Sequence, residues 1–314
     1  MLGRSLFAVC LGFRLLTGAA QGDEPFAGTP PPKPSPATAQ TVKPEPFLRL
    51  VRDDKGTVVG MEVAIVRFVP RNRSQAWPVV DLVGAVHIAD SRYYAALNRQ
   101  FAGYDAVLYE LIAAEGTQPQ PGQSSGSPVS LIQRGLKDLL GLQFQLDTIH
   151  YNRPNMIHAD VSPEQLAQAM QQRGESVLAI FMRMLGYAMA QQGKAGTAGE
   201  ADIIMALLDK NRSLALKRLV AEQFEAMDGS LMALSGPDGS SIIEDRNTVA
   251  LNVLRKQLVD KRKLAIFYGA GHLNDFARRL SADFGLERTN TRWLLAWDMH
   301  DPTPVRRPPA TKPQ

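Results

Sequence analysis

Val79-Val80-Asp81-Leu82-Val83-Gly84-Ala85-Val86-His87 and, near the other end of the chain, Lys263-Leu264-Ala265-Ile266-Phe267-Tyr268-Gly269-Ala270-Gly271-His272 follow one plan. In each, an apolar run of strand length closes on Gly-x-x-His. A helical pattern follows in both places: Ser91 to Phe101, with Asp90 or Ser91 as N-cap, and Asn274 to Phe284. Further strands are expected at Asp105 to Ile112 and Thr291 to Asp298. Strand, loop, helix, strand is a βαβ unit and calls for a parallel sheet. Leu97 to Phe101 even lines up with Leu280 to Phe284. The expected fold is therefore α/β, with two βαβ repeats forming a mainly parallel sheet and a helical insertion between them.

Ahead of the first copy, Leu48 to Val51 and Val58 to Phe68 alternate apolar and polar residues around Asp53-Asp54-Lys55-Gly56, the pattern of a hairpin. Between the copies, helices are expected at Pro128 to Leu140, Pro163 to Gln172, Val177 to Gln191, Ala201 to Met227 and Ile242 to Asp260. The Gly/Ser/Pro/Gln stretch from Ala114 to Ser127 and the segment Gly193 to Glu200 read as loops. The Met-rich run Ile180 to Met189 has the spacing of a core-facing helix, or of an adaptable apolar surface. The domain so defined spans 47–300, with a first repeat at 47–113, a helical middle at 128–260 and a second repeat at 261–300.

Composition bounds the setting. The chain has 314 residues, 45% of them apolar, enough for a buried core. Arg4, the apolar stretch Leu6 to Leu16 and the small residues Thr17-Gly18-Ala19-Ala20 form the pattern of an export signal over residues 1–20. That stretch is too short to span a bilayer, so a periplasmic or extracellular protein is expected, not an integral membrane one. Residues 21–46, rich in Pro, Thr, Ala and Gly, read as an extended tether, and 301–314 as a solvated tail. Cys10, the single cysteine, lies within the signal, which removes disulfides and thiolate chemistry from the domain. Val9 before it is bulkier than a lipoprotein signal favours. The net charge of +4 includes Arg4 and Arg14, and the domain has no dense basic cluster, which argues against nucleic-acid binding. The sequence sets no oligomeric state.

The paired motif is where chemistry is expected. With 25 glycines and five histidines, one Gly-x-x-His would arise by chance about 0.4 times. Two in matched strand-to-helix contexts are better explained by facing positions at the C-terminal ends of parallel strands, where open α/β sheets place their sites. For one histidine alone, capping or packing against the following helix would suffice. Glycines 84, 269 and 271 are expected to let the chain turn and to leave room for a ligand. Glu110, in Val107-Leu108-Tyr109-Glu110-Leu111, should point to the same edge as His87, and a carboxylate in an apolar strand needs a partner or a metal unless that strand is an edge facing water. His87, His272 and Glu110 make a ligand set suited to a divalent metal with a position open for water. Alternatively Glu110 is a general base, with Glu244 or Asp245 as third ligand. Glu244-Asp245-Arg246-Asn247 opens a long helix, where acidic residues also serve the helix dipole. Arg246 has the geometry to clamp a carboxylate or an oxyanion. His158 and Asp160 are possible added ligands or turn and cap residues, and His150 and His300 read as ordinary polar positions.

These residues resemble the TraB/PrgY, GumN and TIKI family, whose pattern is a pair of Gly-x-x-His motifs in two repeats, an intervening Glu and an Arg-Asn pair in a central helix. The resemblance runs over roughly Pro78 to Trp297 and rests on Gly84, His87, Glu110, Arg246, Asn247, Gly269 and His272. It does not extend to the helical middle or to the loop after Glu110. It implies a fold similar to erythromycin esterases and ChaN proteins. It also implies a divalent cofactor (Mn, Co or Zn) and, by the TIKI branch, metal-dependent cleavage of a peptide or protein substrate. Within that reading Glu110, Glu244, Arg246 and Asn247 are the candidate catalytic residues and His87, His272 and Glu110 the candidate ligands. The competing expectation is a non-catalytic envelope protein that binds a peptide signal or a metal in the same pocket.

Overall fold

The computed structural model describes residues 46–72, 74, 78–114, 116, 117, 119, 139–175, 200–222 and 240–301. The expected signal, tether and tail, the loop over 120–127, the Met-rich run and the helices expected at Val177 to Gln191 and over most of Pro128 to Leu140 lie outside them.

The expected hairpin is present as β1 (Leu48–Arg52) and β2 (Val58–Pro70). Its turn is fixed by Gly56 at φ 80, with the Asp53 carboxylate accepting the N–H groups of Lys55 and Thr57. β3 (Val79–Ala85) follows, then a two-residue strand β4 (Ile88–Ala89), α1 (Ser91–Phe101) and β5 (Ala106–Tyr109). β6 (Gln143–Phe144), α2 (Gln145–Thr148), β7 (Met156–His158) and α3 (Pro163–Gln172) occupy the middle, together with α4 (Glu200–Leu208) and a helical stretch over 212–222. A π-turn at Ser241–Asp245 leads into α5 (Arg246–Gln257). The chain ends its fold with β8 (Lys263–Gly269), α6 (Ala270–Asp283) and β9 (Leu286–Asp298).

The sheet is mixed, within an α/β architecture. β3, β8, β5 and β7 are neighbours in that order and parallel. β2 is antiparallel to β1, β3 and β9, so it alone runs against the other strands. One edge of β2 is shared by β1 and β3, and its other edge is taken by β9 from Gly60 to Pro70. The second crossover therefore does not close beside its own start. From β8 the chain passes over β3 and β2 to reach β9, so the strands of the two crossovers interleave in one mainly parallel mixed sheet. The first crossover, β3 to α1 to β5, leaves a gap that β8 fills.

Alternation along each strand builds the two cores. Val83, Val107, Tyr109, Ala265 and Phe267 face one layer with Tyr93, Tyr94, Leu97 and Phe101 of α1. Val80, Leu82, Leu108, Leu264, Ile266 and Tyr268 face the other, with Leu251 and Leu254 of α5 and Leu273, Phe276 and Leu280 of α6. Each fully buried side chain of this size contributes about 1.5–3 kcal/mol. Strands covered on both faces lose the period-two signal and read as continuous apolar runs, as β8 does. Asp81 breaks the run in β3 yet is buried, because Arg67 pairs both its oxygens at 2.9 Å and the Tyr104 hydroxyl donates at 2.7 Å.

Several boundaries differ from expectation for identifiable reasons. The strand expected over Asp105 to Ile112 ends at Tyr109, placing Glu110 just beyond it instead of inside it. The expected turn Gly269 to His272 is already the first turn of α6. The helix expected from Ala201 to Met227 is broken after Leu208, where Asp209 bonds the N–H of Asn211. Asp90 stands at the N-cap of α1 without capping it. Its carboxylate instead binds Lys217 Nζ at 2.8 Å and the Asp298 N–H at 2.6 Å, fastening the 212–222 helix and β9 to the first motif. Among the described residues no helix is long and apolar enough to cross a membrane.

Candidate functional site

β3 and β8 lie side by side in register, with Gly84 opposite Tyr268 and Ala85 opposite Gly269. The two motifs thus leave the sheet together at its C-terminal edge, as the repeat predicts. The histidines they deliver are nonetheless unlike. His272 sits in the first turn of α6 and is 5% exposed, whereas His87 lies in the short link between β3 and β4 and is exposed. The glycines differ as well. Gly84 is inside the strand, and a Cβ there would stand 2.3 Å from Cγ1 of Val63, so close packing of β2 requires it and no turn does. At Gly269 a Cβ would meet Glu110 Oε2 at 3.3 Å, in the space where its N–H donates to that oxygen at 2.7 Å. Gly271 is an ordinary helical position.

Arg246 occupies the centre. It is 4% exposed, and α5 carries it in over the β5 and β8 ends. Its Nε donates to Asp160 Oδ1 at 2.9 Å and its Nη2 to Asp160 Oδ2 at 2.6 Å and Glu110 Oε1 at 2.7 Å. Nη1 is less engaged, with the Ile242 carbonyl at 3.5 Å and His272 Nε2 at 3.4 Å, both at the outer limit of a hydrogen bond. Glu110 Oε1 is 3.7 Å from His272 Nε2. On the far side of the ring, His272 Nδ1 is 2.7 Å from Asn247 Oδ1. Asn247 Nδ2 donates to Asp275 Oδ2 at 2.9 Å and to the His272 carbonyl at 3.2 Å, which fixes the amide with its oxygen towards the ring. The ring therefore carries its proton on Nδ1 and presents the Nε2 lone pair to Glu110 and Arg246.

Protonation follows from these contacts. Burial lowers the affinity of His272 for a second proton, and Arg246 adds to this against the opposing pull of Glu110, so its pKa is pushed down to about 4. Glu110 feels burial in the opposite sense, but Arg246, His272, His87 and the Gly269 N–H together hold its carboxyl well below the ordinary range. Burial disfavours the Arg246 cation, yet Glu110 and Asp160 outweigh it and hold the guanidinium charged. At neutral pH His272 is thus a neutral imidazole beside an ionised Glu110 and a charged Arg246.

The expected site is assembled only in part. Glu110, Arg246, Asn247, Gly269 and His272 come together. Glu244 does not: its carboxylate accepts from Ser240 N–H at 2.6 Å and Oγ at 3.2 Å and so completes the turn before α5. Asp245 pairs with Arg173 at the surface at 2.6 and 2.7 Å. Glu244 thus serves the start of the helix, whereas Asp245 makes no cap bond and is taken by Arg173. Among the described residues no three His, Cys, Asp or Glu side chains gather as a metal ion would need. Glu110 and His272 converge, while His87 stands outside.

Asp160 and Asp275 belong to the cluster and were not placed in its centre by the sequence. Asp160 follows Met156-Ile157-His158, which at three residues is too short a strand for its period to show. His158 itself is structural, its Nε2 2.6 Å from the Leu111 carbonyl and its ring 5.8 Å from that of Tyr109. His150 lies 3.3 Å from Arg153 and the exposed His300 2.7 Å from Asp298, as expected of ordinary polar positions. No family model, curated protein or solved structure matches the chain.

Proposed function

We propose that the chain is a hydrolase of the TraB/PrgY/GumN/TIKI kind, exported as its first twenty residues suggest, acting on peptide bonds with a divalent metal as cofactor. The observation that carries the reading is His272: a buried, neutral imidazole whose Nε2 lone pair is aimed, by the Asn247 bond, at an ionised carboxylate and a guanidinium.

The donor chemistry fits a divalent cation in two of three positions. Glu110 Oε1 and His272 Nε2 are an anionic oxygen and a lone-pair nitrogen 3.7 Å apart, and Asn247 supplies the outer hydrogen bond that ligating histidines generally have. His87, which stands outside the pair, would become the third donor only by turning its exposed side chain towards Glu110. Such a metal supplies Lewis acidity and a water of lowered pKa. The chain's own groups do the rest. The Asn247 bond keeps the Nδ1 proton on His272 and leaves its Nε2 lone pair free of one at neutral pH, and the positive Arg246 keeps Glu110 ionised. Arg246 Nη1, the guanidinium nitrogen with only long contacts, donates to the oxygen on which negative charge develops. Asp160 holds the guanidinium in orientation through two parallel bonds.

The test is turnover of a peptide and ester library by the full chain with Zn, Mn or Co supplied, alongside metal analysis of the purified protein. Activity that Glu110→Gln and His272→Ala abolish, and that Arg246→Lys lowers by about 10²-fold, is expected. A second reading, a non-catalytic binding protein, is favoured by one feature: Arg246 is already satisfied by two carboxylates. Stoichiometric metal without any turnover would establish it. Unchanged metal content and activity in both the His87→Ala and His272→Ala variants would sink both readings.

A further inference from the structure

One buried side-chain atom among the described residues lacks a hydrogen-bond partner: Oε1 of Gln145. Gln145 is 3% exposed, and its Nε2 donates to the Tyr151 hydroxyl at 2.8 Å. A buried carbonyl oxygen without a donor costs about 1–3 kcal/mol, so native structures leave few of them.

Its place in the fold names the missing donor. The β4 and β6 strands pair Ile88 with Phe144 and Ala89 with Gln143. One further step of that register sets His87 opposite Gln145, and the Gln145 N–H does donate to the His87 carbonyl at 2.9 Å. The ladder ends there, since Gln145 opens α2 and its carbonyl accepts from the Ile149 N–H, so the shared backbone bond is what sets the two residues side by side. The residue joined by its backbone to that of the unpaired acceptor is thus His87, whose imidazole is exposed. The Tyr151 hydroxyl that Gln145 binds belongs to a ring 4.8 Å from that of Tyr109, the residue before Glu110. In the second motif the equivalent need is already met, by Asn247 Oδ1 on His272 Nδ1.

We infer that Gln145 is the positioning residue of His87, its Oε1 receiving the His87 Nδ1 proton so that Nε2 faces Glu110, as Asn247 does for His272. Only the side chain has to turn, because the backbone bond between the two residues is already made, and exposed rotamers exchange in nanoseconds or less. The centre then has two histidines of one tautomer, each held by a carboxamide from outside its own motif. The inference rests on the proposed function only in assigning His87 to the Glu110 centre.

Nitrogen-15 spectra of the imidazole rings in the full chain, with a chelator and at about pH 8 where histidine is neutral, read the tautomers directly. The wild type is expected to show His87 with its proton on Nδ1. In Gln145→Met, which preserves apolar volume, His87 moves to the Nε2-protonated form that free side chains favour, while His272 is unchanged. A wild-type His87 protonated on Nε2, or a tautomer indifferent to Gln145→Met, overturns the inference, and the first needs no variant to fold. Calorimetric titration with Zn²⁺ alone gives the second readout: Gln145→Met is expected to bind about 10–100-fold more weakly. Equal affinity overturns the role of Gln145 at the centre. No zinc binding by the wild type would instead count against the proposed cofactor, leaving the tautomer to decide the role of Gln145.

Discussion

Arg246 and Asp160 meet through two parallel bonds, Nε to Oδ1 at 2.9 Å and Nη2 to Oδ2 at 2.6 Å, with the Asp160 side chain wholly buried. Removing Asp160 leaves the buried guanidinium with Glu110 as its one carboxylate and its Nε–H without an acceptor, so Asp160→Ala is expected to cost about 3 kcal/mol. The Arg173 to Asp245 pair is as short but has side chains 28% and 31% exposed, and Asp245→Asn should cost less than about 1 kcal/mol. Urea denaturation of the two variants checks the contrast, and equal losses would contradict the account of the cluster.

Acid should weaken the metal-free fold before its ordinary carboxylates titrate. His272 has its pKa pushed down to about 4 from an ordinary 6.5, so the unfolded chain takes up the proton first. Its share of stability is full above about pH 6.5 and is lost as pH falls towards 4, about 3 kcal/mol in all. Glu110, held low in the fold, acts in the same direction at lower pH, its share being lost as pH drops below the unfolded carboxyl range. Unfolding free energies measured with chelator from pH 8 to 4 should slope in this window for the wild type. In His272→Gln the slope between 6.5 and 4 should flatten, and an unaltered profile would show that His272 is not the titrating group.

Two glycines should respond to alanine in opposite ways. Gly84→Ala places a methyl group 2.3 Å from Val63 Cγ1 and is expected to destabilise by about 1–3 kcal/mol, less in a Val63→Ala background. Gly269→Ala has a contact of 3.3 Å to Glu110 Oε2 and should change stability by less than about 1 kcal/mol. Its effect belongs to function, since it crowds the Glu110 carboxylate. Thermal melts and zinc titrations of both variants separate the two, and the assignment falls if Gly84→Ala is neutral to stability.

Much of this was legible because Gly-x-x-His after an apolar run has a direct physical meaning. β3, α1 and β8 lie within a residue or two of where periodicity sets them, and Glu110, Arg246, Asn247 and His272 are brought together. What was hidden is non-local. Nothing in the local pattern of Thr291 to Asp298 says that β9 pairs with β2 and begins at Leu286, because a ribbon's partner is chosen by tertiary packing. β4, β6 and β7 have two or three residues each and display no period. The acids Glu244 and Asp245 read equally well as cap and as ligand from sequence, and only the Ser240 and Arg173 contacts decide between these.

The position of β8 between β3 and β5 sets the order in which the molecule can be completed during synthesis. Until residue 269 has left the ribosome, β3 and β5 lack their shared neighbour and expose parallel edges to any extended chain nearby. The two histidines are equally separated in time, since one is made long before the other. Pairings of such long sequence separation form slowly, because loop closure precedes the contacts that reward it. A nascent chain of this topology keeps its central sheet incomplete until late in synthesis, and such unpaired edges are what a chaperone recognises.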